Sequence, residues 1–314
     1  MLCRRLQKSG FTLVELLVVI AVIALLVGVL LPALSSARAA GQGAVSLSNM
    51  RQMATAWTTY AYDARDIMVP SQPARMPSFE DNLYDVGNGK HYRPKWFALI
   101  GAKSPEMFAY AVPSQRQEDE HSYPVTNEVW LCPVVPDWVS SRNTPYGYNY
   151  QFLGNARYLG GPVGLSTSYV RFPVRISSIR TMSETVLFAS SMGSAAGKPA
   201  ADRTPNRTDG SRDPELRAMG GHGYALDPPR LPGDNDWCDP QNPGAEHRSA
   251  PDPRYRGKAN IVFCDGSARA MTLEELGYEV ARDGRVLADG PLATNRFFSG
   301  TGIDDDPPSF NPER

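Results

Sequence analysis

The sequence predicts an α+β chain, with one long N-terminal helix leading into an antiparallel-sheet body with long loops. Three observations carry that expectation. Between Phe11 and Leu34 the only ionisable side chain is Glu15. A helical stripe of apolar residues continues beyond that run to Ala61. Farther on, short apolar runs alternate with Gly, Pro, Asn and Asp clusters and finish in an Asp-Gly hairpin signal.

The helix comes first. About 20 apolar residues at 1.5 Å each span the roughly 30 Å hydrocarbon core of a bilayer, so residues 11–34 read as a transmembrane segment. A carboxylate inside such a segment is costly unless it finds a partner, which makes Glu15 a functional-site candidate by default. Arg4, Arg5 and Lys8 precede the run and no Lys or Arg follows until Arg38, placing the N-terminus in the cytoplasm and the body outside. Pro32 predicts a kink near the membrane edge. Leu47, Met50, Ala54, Trp57 and Ala61 then recur at three- and four-residue steps, with Met53 and Tyr60 on the same stripe. Residues 35–63 are thus an amphipathic continuation of the helix, weakened in its middle by Gly41 and Gly43.

Lys8-Ser9-Gly10-Phe11-Thr12-Leu13-Val14-Glu15-Leu16 resembles the signal of type IV prepilins and of type II secretion pseudopilins. An ordinary signal peptide or signal anchor is the plainer reading of the same stretch, but its peptidase cuts beyond the apolar region and discards it. The resemblance implies that a prepilin peptidase cuts between Gly10 and Phe11, removes the basic leader 1–10 and N-methylates Phe11. Pro32 is the twenty-second residue of that mature chain, where type IV pilins often carry a Pro that bends or locally melts the helix. Asn49-Met50-Arg51-Gln52-Met53 and Tyr60-Ala61-Tyr62-Asp63 resemble the helix end of one prepilin-like family.

Composition bounds the rest. The chain has 314 residues and a net charge of −1. Without Arg4, Arg5 and Lys8 it carries 29 basic and 33 acidic residues, net −4, so bulk charge gives no case for a nucleic-acid partner. Its 27 Gly and 27 Pro make about 17 per cent of the chain, against a usual ~12 per cent, which predicts a loop-rich body. Cys3 leaves with the leader. Cys132, Cys238 and Cys264 remain in an oxidising compartment, where one disulfide plus one buried thiol is the simplest arrangement, with the pair left open.

Residues 64–299 form the body. Pro70, Pro73 and Pro77 break its start, and Trp96-Phe97-Ala98-Leu99-Ile100 is a short apolar element. Glu128-Val129-Trp130-Leu131-Cys132-Pro133 reads as a buried strand ended by Pro. Pro145-Tyr146-Gly147-Tyr148-Asn149-Tyr150 is an aromatic turn or strand, more often core packing than a stacking surface. Glu184 to Ala189 reads as a central strand. Residues 194–256 are poor in apolar side chains and are expected as a long flexible excursion that buries little. Ala259 to Met271 is a hairpin, with Asp265-Gly266 suited to a type I′ turn. Thr272-Leu273-Glu274-Glu275 matches a capping box opening a short helix. Residues 300–314 are expected as a frayed tail.

The hairpin supplies a second resemblance, to prepilin-like proteins with a processing-associated C-terminal domain marked by His, nine residues, then Asp-Gly. Trp130 to Pro133, Tyr146 to Asn149 and Ser183 to Phe188 add to it. Asn260, Asp265 and Gly266 fit. Nine residues before Asp265 stands Tyr255, and the nearest His is His247, as if residues 249–256 were inserted; Ser267 follows Gly266 where the family often has His.

No nucleophile elbow, His-Glu-x-x-His or phosphate loop is present, so an enzyme is not expected. His222, Cys238, His247, Cys264 and Asp265 could converge on a metal, but the cysteine spacings are far from the C-x2-C patterns of zinc sites, and zinc is not expected. Asp234, Asp236 and Asp239, or Asp304 to Asp306, offer oxygen ligands for calcium. Flexible acidic loops are usually just solvated, and no cofactor is expected. The reading is a single-pass inner-membrane pseudopilin. Its expected partners are the prepilin peptidase/methyltransferase, other pilin-like subunits and a type II secretion or type IV pilus-like assembly platform. Glu15 is expected to pair with a neighbouring subunit's Phe11 amine. The alternatives are an exported binding protein or enzyme using the signal only as an anchor, and a sugar- or polymer-binding pilus tip.

Overall fold

The structure is a computed structural model describing residues 12–71, 73, 78–85, 90–102, 128–135, 144–154, 156–158, 169–171, 174–203, 222–231, 238 and 244–307. Its elements are α1 (Leu13–Asp63), β1 (Leu83–Asp85), β2 (Lys90–Tyr92), α2 (Trp96–Ala102), β3 (Tyr146–Tyr148), β4 (Ala156–Tyr158), β5 (Tyr169–Arg171), β6 (Val186–Ser190), β7 (Ala259–Phe263) and β8 (Ala268–Met271). This is the α+β arrangement expected: a long N-terminal helix, then an antiparallel sheet of four strands. The chain divides into two compact units, Met1–Gln42 and Gly43–Arg314.

In the first unit, α1 runs without interruption through Pro32. Its large apolar side chains from Leu13 to Leu34 are 45–81 % exposed.

The second unit is built on the four-stranded sheet, in the order β3-β6-β7-β8 and antiparallel throughout. Central strands are covered on both faces, so their side chains are buried at every position rather than at alternate ones. That is the pattern in β6 and β7. Tyr148 lies opposite Phe188, and Phe188 opposite Val262. The core stripe of α1 belongs to the same cluster: Met50, Met53, Ala54 and Trp57 are buried with β6, β7 and α2. Trp96 of α2 stacks on Phe188 with ring centroids 4.5 Å apart, and its Nε1 donates to the Tyr224 carbonyl at 2.7 Å. The aromatic run at β3 is therefore core.

The end of α1 is closed by its own backbone. Asp66 N donates to the Ala61 carbonyl, and Arg65 and Asp66 take left-handed φ of 57° and 75°. Asp tolerates that conformation better than most residues because its short polar side chain bonds locally. Here it reaches farther, with Asp66 Oδ1 accepting from Ser177 N at 3.1 Å.

Several expectations need correction. Glu128 to Pro133 is not a strand: Glu128–Trp130 is a 3₁₀ turn, followed by a bridge between Cys132 and Val135. Pro133 has no donor for a ladder, and the short i→i+3 bonds Leu131 N to Glu128 O and Val135 N to Cys132 O replace it.

The β7–β8 hairpin is present, but its loop is not type I′. Gly266 N donates to Phe263 O, Phe263 N donates to Ser267 O, and only Gly266 among the loop residues has positive φ, 83°. This is a three-residue loop of type I geometry followed by a left-handed glycine. Asp265 Oδ1 accepts from Ser267 N at 2.9 Å and from Ser267 Oγ at 2.7 Å, which favours a negative φ for the aspartate.

The capping box at Thr272 forms reciprocally, Thr272 N to Glu275 Oε2 at 2.8 Å and Glu275 N to Thr272 Oγ1 at 3.1 Å. It encloses a single turn rather than a helix. Gly277, at φ 91°, ends the turn.

Residues 194–256 do not behave as an excursion where they are described. Ser194 to Ala196, Tyr224 to Asp227, Leu231, Cys238, Arg248 to Ala250 and Tyr255 are all buried. The tail is also held as far as it is described. Gly300 O accepts from Arg180 N, and Arg230 bonds Asp304 Oδ2 at 2.7 Å and Asp306 Oδ1 at 2.8 Å. Cys132, Cys238 and Cys264 are buried, and among the described residues no disulfide is formed, which corrects the expected single bridge.

Candidate functional site

The candidate site is the start of α1, and it begins with a capping box. The first four N–H groups of a helix lack intrahelical acceptors, so a Ser or Thr at the cap and a Glu three residues later satisfy two of them. Thr12 and Glu15 have that spacing. Glu15 Oε2 accepts from Thr12 N at 2.8 Å and from Thr12 Oγ1 at 2.7 Å, while Thr12 Oγ1 accepts from Glu15 N at 3.2 Å. The membrane-segment carboxylate is thus engaged by its own helix terminus. Its negative charge also lies at the positive end of the helix dipole. The sequence carries this signal as Thr-x-x-Glu, which the expectation of an intermolecular partner for Glu15 does not include.

Downstream of this cap, the apolar face of α1 has no partner within its own unit. Among the described residues, α1 is the helix long and apolar enough to cross a membrane. Gly10 and Phe11, the expected cleavage and methylation positions, lie outside the described residues. Pro32 sits within the continuous helix.

The C-terminal motif residues are dispersed. Asn260 is buried in β7, where its Nδ2 donates to Gly43 O of α1 at 2.9 Å and its N donates to Ser190 Oγ at 3.1 Å. Asp265 and Gly266 form the exposed hairpin loop described above. His247 ends a 3₁₀ turn, Ala245–His247, with Nε2 3.2 Å from Glu246 Oε1. The structure does not bring His247 and Asp265 into a shared bond.

Among the described residues, no group of three His, Cys, Asp or Glu side chains is placed to hold a metal. Asp234, Asp236 and Asp239 lie outside them. Asp304 and Asp306 face the Arg230 guanidinium instead, and Asp304 Oδ1 also accepts from Asn295 N at 2.7 Å. Burial alone would raise the Asp304 carboxyl. The Asn295 N–H and the Arg230 guanidinium outweigh it and hold the group below the usual carboxylate range.

Two buried ionisable side chains, Asp227 and Arg248, carry no signal in the sequence pattern. Asp227 Oδ1 accepts from Tyr150 OH at 2.9 Å and Oδ2 from Ser249 N at 2.7 Å. Arg248, 0 % exposed, donates to the carbonyls of Pro228, Pro229 and Leu287. Burial pushes the Asp227 carboxyl up and pulls the Arg248 guanidinium down, because both charged forms lose hydration. Through these separate bonds Asp227 ties Tyr150 and Ser249 to its own turn, and Arg248 ties 228–229 to 287. Both side chains are 0 % exposed, which fits a scaffold role.

Comparison with known proteins adds one match, and it falls on α1. Residues 5–31 match the family described as the prokaryotic N-terminal methylation motif. No curated protein and no solved structure matches the chain. The matched stretch spans the Gly10–Phe11 junction, the Thr12–Glu15 cap and most of the apolar run. The chain carries a prepilin-type N-terminal signal on a membrane-length helix, which supports a pilin-like protein handled by a prepilin peptidase.

Proposed function

We propose that this chain is a pseudopilin or pilin-like structural subunit. It is cut between Gly10 and Phe11, methylated on Phe11, and assembled through α1 into a type II secretion or type IV pilus-like filament. The observation that carries the reading is the conjunction of the methylation motif at 5–31 with an α1 whose large apolar side chains are exposed from Leu13 to Leu34. Such a surface requires a bilayer or the helices of neighbouring subunits. Before assembly the body faces the extracytoplasmic side of the inner membrane and α1 spans the bilayer. In the filament, α1 packs against the same helix of other subunits.

Within this scheme Glu15 has two successive partners. In the free subunit it closes the cap on Thr12. In the filament it accepts the Phe11 amine of a neighbour, so that two charges leave hydrocarbon as a pair. The test is shear extraction of cells expressing the full chain. Recovery in a sheared, sedimentable fraction supports assembly. Complete retention in detergent-soluble membrane means the signal serves only as an anchor.

A further inference from the structure

Where α1 enters the body, its contacts are of two kinds. Over residues 43–49 the positions that bond the body are Gly43, Ser46 and Asn49, three residues apart, with Leu47 half-buried as the stretch's one apolar contact. Each of the three is held by a hydrogen bond: Gly43 O by Asn260 Nδ2 at 2.9 Å, Ser46 Oγ by Tyr146 OH at 3.4 Å, and Asn49 Nδ2 to Glu128 O at 3.0 Å and Leu131 O at 3.3 Å. Between them, Ala44, Val45 and Ser48 are exposed. From Met50 onward the buried contacts are apolar, with Met50, Met53, Ala54, Trp57 and Ala61 all at 2 % exposure or less, and Arg51 Nη2 adds a surface bond to Ala268 O at 3.2 Å.

These two stretches open at very different cost. A hydrogen bond that water can replace favours closure by roughly tenfold at most, whereas one buried Met or Trp favours it by roughly ten- to a hundredfold or more. Gly43 weakens the helix further. We infer that residues 43–49 are a release segment, a length of α1 that detaches from the body as a unit while Met50 to Ala61 stay docked, with the Asn260 amide as its latch. The latch gives Asn260 a role that its place in β7 alone does not require, since the strand's register is set by its backbone. Local opening of this kind follows the least-buried cooperative unit of a fold. A consequence, resting on the filament reading above, is that a subunit can free two turns of helix for its neighbours without opening its core.

Hydrogen exchange on the full chain in detergent micelles tests the inference whether or not filaments form. Amides of 45–49 are expected to exchange at least ~50-fold faster than those of 53–61 after correction for intrinsic rates. Asn260→Ala is expected to speed 45–49 by about five- to tenfold and leave 53–61 unchanged. Gly43→Ala serves as the second variant. An added Cβ comes no nearer than 3.4 Å to the Tyr255 ring, so it fits, and its higher helix propensity should slow exchange of 45–49 by roughly fivefold. Equal protection of the two stretches, within about threefold, overturns the release segment. Acceleration of both together in Asn260→Ala, or no slowing in Gly43→Ala, does the same.

Discussion

Glu15 and Thr12 hold each other reciprocally: the carboxylate accepts both the Thr12 N–H and its hydroxyl, and the hydroxyl accepts the Glu15 N–H. A cap and a charge are therefore combined in one side chain, and substitution can separate them. Glu15→Gln keeps an oxygen for the Thr12 N–H and loses the charge. Glu15→Ala loses both. If pairing with an incoming amine is what assembly needs, both variants insert, are cleaved at Gly10–Phe11, and fail to enter the shear-extractable fraction. Incorporation of Glu15→Gln at the wild-type level would assign the residue to helix capping alone.

Asp227 and Arg248 allow a stability test. Arg248→Met leaves the carbonyls of Pro228, Pro229 and Leu287 without their donor, at about 1–3 kcal/mol for each that stays unsatisfied. It should therefore lower the urea-unfolding free energy of the body by several kcal/mol. Asp227→Asn, which keeps an oxygen for Tyr150 OH or Ser249 N, should cost less. A chain beginning at Ala40, which lacks the apolar run, is expected to be soluble enough for the measurement. An Arg248→Met chain as stable as wild type would mean that the guanidinium does not hold 228–229 and 287 together.

The same residue gives a proteolytic check on the segment 194–256. Native trypsin digestion is expected to spare the Arg248–Ser249 bond, because Arg248 is buried and its guanidinium is bound by three carbonyls. Early cleavage there would restore the excursion.

That segment also shows where sequence patterning stops. Periodicity made α1 legible as far as Ala61, and alternating turn signals exposed the β7–β8 hairpin and the β6 strand. In the described parts of 194–256 burial comes through Ala195, Ala196, Pro228 and Pro229 and through Asp227 and Arg248, each satisfied by hydrogen bonds to other groups. Composition scores these residues as solvent-facing, and only their mutual placement makes them core. Glu128 to Pro133 failed for a different reason: apolar content does not distinguish an extended strand from a 3₁₀ turn. At the candidate site, the position of Glu15 was legible and its capping bond was legible in principle. The amine it awaits in the proposed filament belongs to another molecule.

Gly277 closes the Thr272 turn at φ 91°, and a Cβ there would lie 2.3 Å from Thr294 O. Gly277→Ala should destabilise the body by about 1–3 kcal/mol from backbone strain, with the collision adding to it. Thermal unfolding measures this, and an unchanged midpoint would contradict the turn geometry.

The Arg230 clamp on the C-terminal stretch has a defined pH sense. Asp304 is held below its ordinary range in the folded chain, so its contribution is present above the unfolded carboxylate pKa of ~3.9 and is lost as pH falls through the lower folded value. Carboxyl-carbon NMR should show Asp304 titrating below ~3.9, and Arg230→Ala should move it back up. A wild-type titration at or above the ordinary value would show the clamp to be open.

The most direct test of the central claim is the mass of the N-terminal peptide of the mature protein isolated from membranes. The account predicts a peptide beginning at Phe11 with one methyl group on its amine and the apolar run of α1 retained. A mature N-terminus downstream of Leu34 would show that an ordinary signal peptide had been removed, and would contradict the pilin-like reading outright.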